Sequence, residues 1–270
     1  MLALSNVIIA KESKPQIYPE GKDFWMKAPV LGIMPHMIAP VVDDVPKWDE
    51  GLGSRFDADQ WVTAFKDVGA SYMYGIAKWH DGFCYWDTDT TRYKSKKDYI
   101  GELIKACHKH GLRFSFYFNH HTEGNPEWEH TQLHRFDGSP YRAGFPFPKH
   151  SVHTEFRQFT LDQIRDLLTK YGRVDGIWLD HFRELTDVSD KAVHEAFEKM
   201  YGFPLKEADI NQQRDFIARS LGSYLLDIKK IAAETKQSSF LITMNGGLRY
   251  SSPGDTYTKF IVSFREGCMK

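Results

Sequence analysis

Charge of one sign is scarce in this chain: 35 basic against 36 acidic residues leave a formal net charge of −1 over 270 residues. No broad field draws it to nucleic acid or to an anionic membrane, so neither is expected as a partner. Cysteine is as sparse, and Cys84, Cys107 and Cys268 lie far apart, which argues against a disulfide framework and against a cysteine-rich metal site. Long apolar runs are missing too. The opening MLALSNVIIA is too short to span a bilayer, lacks a basic start and soon meets Lys11, Glu12 and Lys14. A cytoplasmic location is expected, or a periplasmic or secreted one if a leader has been removed. No glycine-rich phosphate loop marks a strand-to-helix turn, which disfavours a phosphate-binding enzyme.

Aromatic residues, by contrast, are plentiful, with 7 Trp and 13 Tyr, and flat amphipathic rings suit ligands that mix apolar faces with hydroxyls. Short apolar runs alternate with amphipathic helical patterns, the signature of parallel β/α units. Strands are predicted at residues 30–35, 71–78, 112–118, 174–179 and 240–244, with a further candidate at 259–264. Helices are predicted at 57–68, 98–110, 154–170, 191–200 and 214–235, and Gly111 is the stop of the second. Residues 119–152 read as one long loop with several histidines, and such loops are usually functional or mobile. The expected architecture is a single α/β domain over 1–270, a (β/α)8 TIM-like barrel without a separate C-terminal β-sandwich. Five or six strands fall short of eight. Either further units are hidden in the sequence, or the barrel is truncated or reduced and its open edge needs another chain or a covering segment, which leaves room for a homo-oligomer.

Working residues in such barrels gather at the C-terminal ends of strands. His36 follows the first predicted strand, His80 and Asp81 the second, Tyr117 and Asn119 the third, Asp180 the fourth, and Asn245 with Arg249 the fifth. Trp79 and Trp178 adjoin these ends as stacking surfaces. Asp180 closes the apolar run GIWL, where its carboxylate can attack an electrophilic carbon, act as a base, or simply cap the next helix.

The stretch KWHDGFCYWDT, preceded by RFDADQWVTAFKDVGASYMYGIA, resembles a segment of glycoside hydrolase family 29, the α-L-fucosidases, whose usual form has a lysine, two histidines and DGF. LGIMPHM is similar to that family's first strand, GLRFSFYFN to its third, and YGRVDGIWLDH to its fourth. The resemblance implies a retaining exo-glycosidase that removes terminal α-L-fucosyl residues from glycans. Asp180 would be the nucleophile; His36 and His80 would bond sugar hydroxyls, with Tyr117 nearby; Trp79 and Trp86 would wall the sugar. Asn119, Trp178, Asn245 and Arg249 complete the expected substrate-binding set. No cofactor and no metal are implied.

Retention needs a second carboxyl about 5–5.5 Å from the first. The resemblance does not name it, because the acid/base glutamate differs in position among subgroups. Glu50, beside Trp48, is the first choice and Glu266 the alternative, while Glu184 reads as a solvated charge on the following helix. Trp79 stands where the family usually has the first of its two histidines, which leaves the sugar open. The alternatives are a catalytically impaired carbohydrate-binding barrel and a glycosidase of this fold acting on another sugar. The histidines His120, His121, His130, His134, His150 and His153 raise a metal reading. His130 and His134 have i, i+4 spacing that would put both on one helix face, but neither HExxH nor a first-strand H-x-H supports it.

Overall fold

The computed structural model describes residues 31–36, 52–142, 146–237 and 240–244. Its frame is a parallel sheet in the order β1-β2-β3-β4-β5, the strands being Gly32–Ile33, Tyr72–Lys78, Arg113–Asn119, Gly176–Asp180 and Leu241–Met244. Between them run α1 (Ala58–Asp67), α2 (Tyr99–His110), α3 (Phe156–Lys170), α4 (Lys191–Tyr201) and α5 (Ile210–Glu234). A β/α succession with each strand beside its predecessor is what the alternating patterns dictate, and α1 packs on α2 as α3 packs on α5. Five strands are present among the described residues. The full eight-stranded barrel expected from the sequence is therefore not what these residues form, and the candidate sixth strand lies outside them.

Local chemistry sets the boundaries. Asp57 and Asp98 accept from the backbone N–H groups of Gln60 and Gly101, satisfying donors that the first turns of α1 and α2 leave open. Gly111 ends α2 in the left-handed region at φ 75°, as its place after the apolar stripe suggested. β3 is buried along its whole length because helices cover its outer face and other side chains its inner one.

Two apolar clusters form among the described residues. The larger joins the outward face of the sheet (Met73, Phe114, Phe116, Phe118, Ile177, Leu179) to α2, α3 and the middle of α5. The smaller unites Leu133 and Tyr141 of the β3–α3 loop with Val188, Val193, Phe197, Leu205 and Phe216. The β3–α3 segment is thus not a bare loop: it carries a 3-10 turn at Pro126–Thr131 and isolated antiparallel bridges Thr122–Lys149, Gln132–His150 and His134–Pro140.

Most of its histidines are structural. His121 Nδ1 bonds the His150 carbonyl at 2.7 Å, His150 Nδ1 the Thr131 hydroxyl at 2.8 Å, and His153 Nε2 the Ser220 hydroxyl at 2.8 Å. His130 pairs with Glu155 and His134 with Asp190. The 3-10 turn ends before His134, which lies in an extended bridge, so the shared helix face expected from the i, i+4 spacing does not exist. No helix among the described residues is long and apolar enough to cross a membrane.

Candidate active site

Register brings the site together. Asn119 of β3 lies opposite Asp180 of β4, and Tyr117 opposite Trp178, so alternate residues of both strands face the same side. On β2 the register slips between Ile76 and Lys78. The slip turns Lys78 outward toward the helix layer, where its ammonium meets the Glu123 carboxylate at 2.9 Å and Gln163 Oε1 at 3.1 Å, ringed by Phe118, Phe156 and Phe159. Lys78 therefore braces the loop through Glu123, not through Asp81. Asp81 instead accepts from the Phe83 N–H at 2.9 Å, and burial pushes its carboxyl up to about 6. Gly82 at φ +84° is required twice over, by its left-handed backbone and because any side chain there would strike the Glu123 carboxylate.

Asp180 is the focus of the inner face. Tyr117 donates its hydroxyl to Asp180 Oδ2, and His80 Nε2 stands 3.0 Å from the same oxygen. Burial would raise the Asp180 carboxyl, but the bonds from His80 and Tyr117 outweigh it and hold the group well below the usual carboxylate range. Tyr117 responds in the opposite sense: burial and the adjoining carboxylate keep its phenol protonated.

His80 is buried and its pKa is lowered, first by burial and against the pull of Asp180. Its tautomer follows from Asn119. The Asn119 Oδ1 accepts from the backbone N–H groups of His121 and Thr122, at 3.0 and 2.8 Å, so Nδ2 is the atom that faces His80. Asn119 thus donates to His80 Nδ1, which must be bare, and the ring proton sits on Nε2, aimed at Asp180.

His80, Asp180 and His181 present ligand atoms within 4.8 Å of one another, close enough to suggest a metal site. The fixed tautomer opposes it, since His80 Nε2 already carries a proton where a metal would need the lone pair.

Around this centre, Trp79 stacks on Tyr117 at 5.2 Å and 26°, and His36, exposed, meets Trp79 edge-on at 5.3 Å. Trp178 is half-buried between Tyr74 and Tyr117. The structure thus gathers Asp180, His80, Tyr117, Trp79 and Trp178, with His36 at the margin. Asn119 is present but buried behind His80, where it orients the imidazole in place of the direct sugar contact expected. Trp86 is no wall of the site: it is wholly buried and donates to Asp166 of α3 at 2.8 Å. Glu50, Glu266, Asn245 and Arg249 lie outside the described residues.

Two further groups, Lys149 and His181, went unnoticed in the sequence, and a third, Glu184, was read there as a solvated charge. Lys149 is buried, donates to the Thr122 hydroxyl at 2.9 Å, and is pushed down to about 8 by burial and by Arg183. His181, directly after Asp180, holds its Nε2 4.0 Å from Asp180 Oδ2. Glu184 is buried, not solvated: it accepts from the backbone N–H groups of Val152 and Leu185 at 2.9 and 3.0 Å, and burial raises it to about 7. Glu184 thereby ties the loop after β4 to the end of the loop after β3. No spacing rule distinguishes a buried glutamate of this kind from an exposed one.

Alpha-L-fucosidase 1 of Arabidopsis thaliana is 30% identical over 135 residues, which cover 47% of this chain and 22% of that protein. The tissue alpha-L-fucosidase of Mus musculus is 30% identical over 138 residues, covering 49% of this chain and 27% of that one. The chain thus spans about a quarter of the length of these curated relatives. Among solved structures, alpha-L-fucosidase isoenzyme 2 from Paenibacillus thiaminolyticus matches with a TM-score of 0.61 at 17% identity, over 77% of this chain and 32% of that one, a likeness of fold. The family model for alpha-L-fucosidase matches residues 48–222. That span takes in well over half of the chain, from before α1 to the middle of α5 and with Asp180 inside it, and the protein belongs to the alpha-L-fucosidase family.

Proposed function

We propose that this site hydrolyses terminal α-L-fucosides with retention of anomeric configuration. The observation that carries the reading is the ionised Asp180 at the end of β4, held by Tyr117 and His80 through one of its two oxygens. Among the described residues its hydrogen bonds fall on Oδ2, so Oδ1 is the oxygen for attack. That oxygen bonds to the anomeric carbon as the bond to the leaving oxygen breaks, and a second carboxyl supplies the proton. The same carboxyl then takes a proton from water, whose oxygen displaces Asp180 and restores its carboxylate. Glu50 is the first candidate for the second carboxyl and Glu266 the alternative. Glu184 is unsuited despite its raised pKa, because both its oxygens are committed to backbone N–H groups.

His80 offers a neutral imidazole and Tyr117 a phenol beside the nucleophile; Trp79 and Trp178 supply faces for the apolar side of the sugar. Asn119 acts through His80.

The test is a screen of aryl glycosides followed by trapping with a 2-deoxy-2-fluoro fucosyl inhibitor and mapping of the labelled residue. Label on Asp180 is expected. Label elsewhere ends this mechanism, and sugar binding without cleavage of any aryl glycoside favours a carbohydrate-binding barrel.

A further inference from the structure

His181 is one of two non-glycine residues with positive φ among those described, at 48°, the other being Lys236 at 59° just past α5. A helix end is an ordinary place for a left-handed residue; the position after a strand-end carboxylate is not. Such a conformation is strained for a residue with a Cβ and persists where the surroundings impose it. Burial does not repay the strain here, because 26% of the His181 side chain stays exposed at the mouth. What the conformation does achieve is placement: the ring stands edge-on to His80 at 5.0 Å, with Nε2 4.0 Å from Asp180 Oδ2.

Four ångströms is too long for a direct hydrogen bond and suits a third atom between them. An oxygen roughly 2.8 Å from each closes a triangle on that base. Burial holds the His181 imidazole down to about 4, so at neutral pH the ring is uncharged and keeps one donor and one acceptor. A hydroxyl in the gap would donate to the carboxylate and accept from the ring. In a retaining glycosidase the hydroxyl beside the reacting carbon, the 2-hydroxyl, is the one that approaches the nucleophile and whose bonds tighten in the transition state.

We propose that His181 contacts substrate directly, binding the 2-hydroxyl of the glycone in concert with Asp180. The inference rests on the glycosidase reading of the same site. Its test compares His181→Gly, which removes the ring and relieves the backbone, with wild type on aryl α-L-fucosides bearing either a 2-hydroxyl or a 2-deoxy position. The variant is expected to lose about 10–100-fold in kcat/KM on the 2-hydroxy substrate and less than about 2-fold on the 2-deoxy one, at a melting temperature no lower than wild type. Equal losses on both substrates, or none on either, overturn it. If wild type cleaves neither, the catalytic reading falls, and the contact is read from equilibrium binding of L-fucose and 2-deoxy-L-fucose to the same two proteins. A stronger loss for L-fucose in the variant sustains the contact; no preference, or no binding by wild type, overturns it.

Discussion

His80 and Asn119 form a unit in which the amide decides which nitrogen of the imidazole carries the proton. Asn119 is itself oriented by the backbone of His121 and Thr122, so the direction of the His80–Asp180 bond traces back to a turn two residues downstream of β3. Asn119→Asp tests this. The replacement presents an acceptor to Nδ1, moves the proton there and leaves His80 between two carboxylates, so its pKa is expected to rise above 6.5 in place of the lowered value it has now. Activity should fall by roughly 10–100-fold. Imidazole NMR titration reads the change; an unchanged His80 titration would contradict the assignment.

Removal of Asp180, the proposed nucleophile, should be more severe. Asp180→Ala is expected to lower turnover by roughly 10³-fold or more, with azide restoring part of it and yielding the azide of inverted configuration. Undiminished cleavage by Asp180→Asn and Asp180→Ala would show that another group attacks.

The buried Lys78–Glu123 pair predicts a non-additive result. Lys78→Met strands a carboxylate in the core and should cost roughly 3–5 kcal/mol, measured by denaturant unfolding. Adding Glu123→Gln removes the stranded charge and should recover a substantial part of the loss. A double variant as unstable as the sum of the singles would mean that the two side chains do not support each other.

Stability against pH should be pulled from two sides. His120 and His150, both at about 3, and His153, at about 4, are kept neutral chiefly by burial. Below pH 6.5 the unfolded chain gains protons that these folded sites refuse, so stability falls as pH drops toward 4. Glu184 acts in the other direction: its carboxyl is raised to about 7, so the unfolded chain ionises first and stability is lost as pH rises from about 4.5 to 7. Glu184→Gln forfeits one backbone acceptor but also that loss. Its stability relative to wild type should rise by on the order of 1–3 kcal/mol between pH 5 and 7.5. Parallel curves for the two proteins would place the titration elsewhere.

Much of the frame was legible because period and punctuation agree. The strand predicted at 71–78 is Tyr72–Lys78, and the helix predicted at 98–110 is Tyr99–His110, bounded by the Asp98 cap and the Gly111 stop visible in the sequence. Asp180, His80 and Tyr117 were likewise legible, as polar residues that end apolar runs. What escaped was decided by three-dimensional partners. Nothing local told that Lys78 would turn outward, since the register slip on β2 depends on β3. Trp86 read as a sugar platform until Asp166, 80 positions on, proved to hold its indole. The helix that ends at Glu234 is another case: α5 begins at Ile210, earlier than its apolar stripe suggested, because Asp209 and Gln212 close a capping box that extends it by a turn.

That long helix passes through both clusters, with Phe216 in the smaller and Leu221 to Ala232 in the larger, over a length of roughly 37 Å. The smaller cluster holds the rim of the mouth and the larger holds the floor, so heat or denaturant has two different things to melt. A rim that loosens first would release α4 and the opening turns of α5 while β3 and β4 stay paired. In that partly melted molecule the carboxylate would still stand in its place with Tyr117, Trp79 and Trp178 beside it, and only the segments of the smaller cluster would be gone.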